Sequence, residues 1–217
     1  MGDDWGRILL IGATGAVGEA VLAQADRPIS YLARRAAKHA GSHSPLLAPP
    51  DQWADEIARF KPDILMSALG TTMRQAGSQQ AFRAVDYELQ IAAAQAAKAA
   101  GAKHFIGVSS VGASARSSNF YLRTKGEVEQ AIGALAFDRI DILQPGLLRG
   151  GQRPKWRPSE SLAAMAAPVM DALLRGYWKK YRSVTVPCVA SAMWRLAYET
   201  GSGTFSYESD AIITLAD

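Results

Sequence analysis

From Arg7 to Gly18 the chain reads R-I-L-L-I-G-A-T-G-A-V-G. A short apolar run, Ile8 to Ile11, meets three glycines spaced three apart, Gly12, Gly15 and Gly18. A segment suited to a helix follows, Glu19 to Ala25. Strand, glycine turn and helix in that order present backbone N–H groups and the positive end of a helix dipole to an anion. Gly12 allows a tight turn, Gly15 lets the backbone approach phosphates, and Gly18 lets the helix pack closely on the strand. The spacing differs from the G-x-G-x-x-G of the common dinucleotide fingerprint, and any tight strand-to-helix turn can use glycines in this way. Its place directly after an apolar run, with the Thr14 hydroxyl alongside, favours a dinucleotide pyrophosphate.

Outward from this turn, the pattern alternates. Strands are expected at Ile8–Ile11, Ile29–Ala33, near Leu46–Leu47, at Asp63–Ala68, His104–Ser109 and Arg139–Leu143, near Val184–Pro187, and last near Ala211–Leu215. Helices are expected at Gly15–Ala25, after a cap at Asp51 with Trp53, Ile57 and Phe60 on one face, at Ser118–Ala136 and around Ala190–Tyr198. A long alanine-rich helix carries Phe82, Val85, Leu89, Ala93 and Ala96 at helical spacing and stops at Gly101. Repeated βαβ units imply an α/β, Rossmann-type, doubly wound parallel sheet with helices on both faces. Its ligand crevice then lies at the carboxyl ends of the strands.

The 217 residues set one NAD(P)-binding domain as the default, with 151–217 mainly a small C-terminal elaboration on the substrate side. There, Gly151 to Pro158 is basic and loop-like. A stripe of Leu162, Met165, Val169, Leu173 and Leu174, kinked at Pro168, serves as core or as a lid. Trp156 and Trp178 line the substrate side, fill the core or form a homodimer contact; Arg153, Lys155 and Arg157 draw an acidic substrate or stay solvated.

Hydrophobic residues at 48% and charged residues at 20% describe an ordinary globular protein. The net charge of +4 fits a solvated basic surface or affinity for a phosphate-bearing ligand. No stripe of Lys and Arg interleaved with aromatics argues for nucleic acid. No apolar run reaches membrane-spanning length. His39, His43 and His104 are scattered, so no metal site is expected. Cys188 is the only cysteine, which excludes an intramolecular disulfide, and the opening M-G-D-D-W-G lacks an apolar signal core. Together these set the expectation of a cytoplasmic protein.

A second constellation lies at Ser109, Ser110, Tyr121 and Lys125. Tyr121 and Lys125 are four apart and share one helix face. An ammonium beside a phenol assists the phenol in passing a proton to or from a carbonyl or alcohol oxygen. A serine at the end of the preceding strand can hydrogen-bond the same oxygen, and the lysine can hold a nicotinamide ribose. By itself Y-x-x-x-K also describes an amphipathic surface. Arg34 and Arg35 follow the second strand, where an acidic residue would bind a ribose 2′-hydroxyl and arginine suits a 2′-phosphate. Two surface charges ending a strand would look the same. With no acidic residue nearby, NADP(H) is favoured over NAD(H).

These residues together resemble the atypical members of the short-chain dehydrogenase/reductase superfamily, in particular the Tat-interacting-protein-like oxidoreductases, near the NmrA-like and epimerase-like groups. The run S-A-L-G-T-T, Ser67 to Thr72, is similar to that family's turn after the fourth strand. The block Lys103 to Gly146 adds K-H-F, S-S-V-G-A, S-S-N-F-Y, K-G-E-V-E, F-D-R and Q-P-G-L-L, the last running on to Leu148. The resemblance implies that Gly12, Thr14, Gly15, Ala16, Val17 and Gly18 hold the pyrophosphate and Arg34 the 2′-phosphate. It implies that Leu69, Gly70 and Thr71 flank the adenosine and ribose, and that Pro145, Gly146 and Leu147 pass near the nicotinamide. Ser110, Tyr121 and Lys125 would be the catalytic set, with Ser109 a rival for the serine role. The expected activity is hydride transfer to or from a small carbonyl or alcohol, with Tyr121 as general acid/base. The alternative is an NADP(H)-sensing regulatory or protein-binding module. Nucleotide-sugar epimerisation would need a roomier C-terminal region. Two departures stand out: Asp86 occupies the place of an asparagine in many relatives, and no acidic residue stands at Leu46–Pro49.

Overall fold

Every residue of β1 (Ile8–Ile11) is buried, as in a strand covered on both faces. In the computed structural model, which describes residues 6–150 and 182–217, β1 lies inside a seven-stranded sheet. The strands are β2 (Ser30–Ala33), β3 (Ser44–Leu47), β4 (Ile64–Ser67), β5 (His104–Val108) and β6 (Arg139–Gln144), with two short ones, β7 (Leu148–Arg149) and β8 (Val184–Thr185), and then β9 (Gly203–Glu208). The order is β3-β2-β1-β4-β5-β6-β9 with every pairing parallel; β7 and β8 pair separately. The chain runs outward from β1 to β3 on one side and then returns to β4 on the other. The carboxyl ends of β1 and β4 therefore flank the switch point where such sheets bind ligands.

Helices cover both faces. They are α1 (Ala16–Ala23), α2 (Trp53–Phe60), the short α3 (Met73–Ala76) and α4 (Gln79–Arg83), then α5 (Gln90–Ala99), α6 (Phe120–Ala134), α7 (Val186–Ala197) and α8 (Ser209–Ala216). The period of two along β1 splits the core. Ile8 and Leu10 pack with Val17, Val21, Ala190, Met193 and Ile212 on one face. Leu9 and Ile11 pack with Trp53, Ile57, Ala93, Ala97 and Ile132 on the other. The loop and apolar stripe expected at 151–181, with Trp156, Trp178 and the nearby basic residues, lie outside the described residues. Among the described residues, no helix is long and apolar enough to cross a membrane.

Three expectations are corrected. Asp51 caps nothing: it lies in a 3₁₀ turn, Pro50–Gln52, that leads into α2. The apolar run Ala211–Leu215 is helical, within α8; only one side of it meets the core, at Ile212. The last strand is instead β9, an almost wholly exposed edge that lacks the apolar signal of a buried strand. The alanine-rich helix is interrupted by a π-helical segment, Ala84–Leu89. In a regular α-helix the residue four places on has turned about 40° past the first. The wider π turn removes much of that offset, so Phe82, Asp86 and Gln90 are all buried, while the expected Val85, Leu89 and Ala96 are only half-buried.

A polar cluster crosses β5, β6 and β9 inside this frame. Asp141 is fully buried and accepts from Arg139 Nε at 2.6 Å, Arg139 Nη2 at 3.0 Å and the Tyr207 hydroxyl at 3.0 Å, with His104 Nε2 at 2.6 Å. Burial alone would raise the Asp141 carboxyl, but the His104 and Arg139 contacts outweigh it and hold it below the usual value. A lowered carboxylate pKa stabilises the fold fully above the unfolded value of 3.8 and ceases to do so as pH falls through the folded one. Burial and the Asp141 charge push the Tyr207 hydroxyl from 10.0 up to about 12. Between those values the unfolded chain loses its phenolic proton before the folded chain does, so stability declines as pH rises. Melting temperature is therefore expected to drop above about pH 10, less steeply in Tyr207→Phe. An identical alkaline drop in both proteins would rule Tyr207 out as its source.

Candidate functional site

The glycine turn has three positions with different demands. Gly12 has φ +81°, a left-handed conformation that favours glycine, and a Cβ there would collide with the Ala68 carbonyl. A Cβ on Gly18 would collide with the carbonyl of Gly12. Both glycines are therefore required by the packing of β1, α1 and the turn after β4. Gly15 is not: it has φ −85°, and a Cβ would meet nothing nearer than the Gly12 carbonyl oxygen at 3.3 Å. Thr14, Gly15 and Ala16 are exposed, while Val17 is buried in the core, leaving its backbone as the part that can face a ligand. Among the described residues no side chain caps the amino end of α1, so its N–H groups remain available to an anion.

Arg34 and Arg35 are exposed just past the carboxyl end of β2. The loop that follows is anchored to α1 by Glu19. Its carboxylate accepts from the backbone N–H of Lys38 at 2.8 Å and of His39 at 2.9 Å, and pairs with the His39 ring at 2.7 Å. Burial alone would raise the Glu19 carboxyl; the two N–H groups and His39 overcome this and lower it. The buried Tyr31 hydroxyl accepts from the Ala37 N–H at 3.2 Å. Glu19 was not singled out from sequence, since an acidic residue in a first helical turn is commonplace.

Across the switch point, the turn after β4 meets α6. Lys125 is 4% exposed and Asp86 fully buried; Lys125 Nζ lies 2.7 Å from Asp86 Oδ1. The other carboxylate oxygen accepts from the Thr71 N–H at 2.8 Å. Burial pushes the Asp86 carboxyl up, against the pull of Lys125 and Thr71. A Cβ on Gly70 would stand 3.4 Å from Asp86 Oδ1 and 3.7 Å from Lys125 Nζ. The glycine turn, the Ala68–Thr71 turn and Lys125 are thus contiguous.

Asn119 caps α6 through the Leu122 N–H at 3.1 Å, which sets Tyr121 in the first turn, one turn before Lys125. The Tyr121 ring packs edge-on against Phe82 at 5.8 Å. Ser109 donates to Glu129, whose carboxylate also accepts from Gln144 Nε2 at 2.9 Å. Burial pushes the Glu129 carboxyl up, with Ser109 and Gln144 opposing. Among the described residues, the Ser110 hydroxyl has only the Val111 carbonyl, at 3.5 Å. Of the two serines, Ser110 is the one not bound to a charged side chain. After β6, Pro145 accepts from the Val111 N–H at 3.0 Å, the Gly146 N–H donates to Ser209 Oγ at 2.9 Å, and Leu147 is 53% exposed.

Solved structures share this architecture. The UDP-glucose 4-epimerase of Thermus thermophilus, in complex with NAD, superposes with a TM-score of 0.70 at 13% identity, over 97% of this chain and 81% of that one. MoeE5 in complex with UDP-glucuronic acid and NAD gives 0.68 at 18% identity, over 94% and 76%. At such identities the likeness is one of fold. The class of fold is the Rossmann type. The HIM1 family model matches residues 60–181. Protein FMP52, mitochondrial, of Emericella nidulans is 33% identical over 226 residues, 94% of this chain and 97% of its own. The protein of that name in Meyerozyma guilliermondii is 42% identical over 152 residues, 66% of each. The chain belongs to the HIM1 family and is a relative of the FMP52 proteins. Neither match carries the narrower resemblance to Tat-interacting-protein-like oxidoreductases.

The cytoplasmic expectation is overturned by these relatives, which are named mitochondrial in Emericella nidulans, Meyerozyma guilliermondii and Candida albicans alike. A lone cysteine separates reducing from oxidising compartments but does not tell the cytosol from the interior of an organelle.

Proposed function

We propose that this chain is an NADP(H)-dependent oxidoreductase of a small carbonyl or alcohol, with site motifs like those of the Tat-interacting-protein-like oxidoreductases. The observation that carries this reading is the contiguity of the glycine turn, the Ala68–Thr71 turn and buried Lys125, one helical turn from Tyr121. A dinucleotide fits this chain on three counts. Gly15 lacks a side chain that the fold would tolerate, the amino end of α1 has no side-chain cap, and neither Arg34 nor Arg35 has an ion-pair partner among the described residues.

In this reading the backbone of Gly12, Thr14, Gly15, Ala16, Val17 and Gly18 holds the pyrophosphate. Arg34 and Arg35 hold the 2′-phosphate. Leu69, Gly70 and Thr71 flank the adenosine and ribose, and Lys125 binds ribose hydroxyls. Pro145, Gly146 and Leu147 border the nicotinamide side. When bound, the nicotinamide supplies or takes up hydride. Tyr121 gives a proton to the carbonyl oxygen in reduction, or takes one from the alcohol in oxidation. Ser110 hydrogen-bonds that same oxygen and orients it. The relatives' names favour a mitochondrial setting.

Titration with NADPH and NADH tests the cofactor assignment. NADPH is expected to bind about tenfold more tightly, and Arg34→Ala to erase most of that difference while sparing NADH, because a guanidinium–phosphate contact is charge-assisted. Equal affinity for the two cofactors in the unaltered chain would overturn the preference for NADP(H). Binding of neither would remove the dinucleotide reading.

A further inference from the structure

Resting on that dinucleotide reading, we propose that Asp86 is a positioning residue: its carboxylate locks the Lys125 ammonium to the turn after β4, fixing the point where a cofactor ribose is held. The two oxygens divide the work. Oδ1 faces Lys125 Nζ at 2.7 Å, and Oδ2 accepts from the Thr71 N–H at 2.8 Å. One side chain thereby joins α6 to the Leu69–Thr71 turn, two parts of the candidate site that are far apart in sequence.

Burial makes this pairing matter. Asp86 has no exposed surface and Lys125 only 4%, and an ammonium buried without a counter-ion is costly and swings toward water. Asp86 is its one ion-pair partner among the described residues. An ammonium carries three N–H donors, so two remain for hydroxyl groups of a ligand. Gly70 lies directly against the pair, since a Cβ there would be 3.4 Å from Oδ1 and 3.7 Å from Nζ. A ligand resting on this turn therefore meets Lys125 at a set height.

The carboxylate is carried by the π-helical segment Ala84–Leu89. Phe82 fixes the start of the line, packing against the rings of Phe120 at 5.7 Å and Tyr121 at 5.8 Å. Arg83 pairs with Glu127 on α6 from the same turn of helix. Asp86, four places on from Phe82, lies on the same buried edge, while Val85 and Leu89 are only half-buried. An asparagine here would keep an acceptor for Thr71 but bring no charge to hold Lys125.

A double-mutant cycle on NADPH affinity tests the assignment, using the full chain, with melting temperature recorded for each variant. Asp86→Asn is expected to weaken binding about tenfold, and Lys125→Met at least as much. In the Lys125→Met background, Asp86→Asn is expected to cost nothing further, because Asp86 acts through Lys125. A merely structural aspartate would cost the same in both backgrounds, and additive losses would overturn the proposal, as would unaltered affinity in Asp86→Asn. If Asp86→Asn does not fold, Asp86→Ser takes its place in the same cycle. An unaltered chain that binds neither NADPH nor NADH removes the dinucleotide reading and this role with it; binding with additive variants removes this role alone.

Discussion

Tyr121→Phe is expected to lower carbonyl reduction by about 10³-fold, within the range that removal of a general acid produces, and to leave NADPH affinity unchanged within about twofold. The substitution is clean for structural reasons. The Tyr121 ring packs edge-on against Phe82, and phenylalanine keeps that contact. The hydroxyl has no hydrogen-bond partner among the described residues, so removing it leaves no buried group unpaired, and the melting temperature should hold. Lys125→Met is the contrasting case, since Lys125 sits in the binding reading as well as the chemical one and should lose affinity too. The measurement is steady-state reduction across a panel of small aldehydes and ketones, beside an NADPH titration. A Phe variant with more than about a tenth of the original rate would show that Tyr121 is not the acid. An unaltered chain that binds NADPH tightly and reduces nothing in the panel would favour the sensing or protein-binding reading instead.

What could be read from residues alone follows physical locality. The β1 turn and α1 were legible because strand, tight turn and helix are specified within twelve consecutive residues, and Gly12 and Gly18 answer to packing constraints between near neighbours. Tyr121 and Lys125 were legible because four residues make one helical turn. Asp86 was noticed only as a departure. It shares a face with Phe82, but its ion pair with Lys125 joins two distant segments, and no pattern of apolar residues announces such a pairing. Glu19 was missed because its partners, the N–H groups of Lys38 and His39, are backbone and leave no trace in side-chain type. The cluster around Asp141 joins residues from three strands, and His104 alone looked like an isolated histidine. At the end of the chain, β9 is an exposed edge without a continuous apolar run, while α8 carries the apolar run Ala211–Leu215 that reads as a buried strand. The compartment was misjudged for a different reason: cysteine content reports redox state and nothing finer.

Gly18→Ala is expected to cost about 3 kcal/mol of stability, and hence to lower the melting temperature by about 10 °C in a domain of this size. The new methyl group would press into the Gly12 carbonyl. That atom cannot give way, because Gly12 itself packs against the Ala68 carbonyl and its oxygen already accepts from the Gly15 N–H at 3.0 Å. Relief requires α1 to move off β1, which opens the core where Leu10 meets Val17 and Val21. Gly15→Ala, three residues away, separates this structural demand from the ligand's. Its methyl group would meet the Gly12 oxygen at 3.3 Å and the Ala68 oxygen at 3.9 Å, a tight contact but far milder than the 2.2 Å approach at Gly18, and the backbone at φ −85° and ψ 168° suits alanine. Melting should therefore fall by no more than about 4 °C, well short of the Gly18→Ala loss, while NADPH affinity drops at least about tenfold, since the methyl group occupies the approach of the phosphates to the N–H groups of α1. Thermal denaturation and NADPH titration of the two variants decide the matter. Undiminished affinity in Gly15→Ala would place the pyrophosphate elsewhere. An unchanged melting point in Gly18→Ala would mean that α1 does not sit against β1 as closely as the Gly12–Gly18 contact requires.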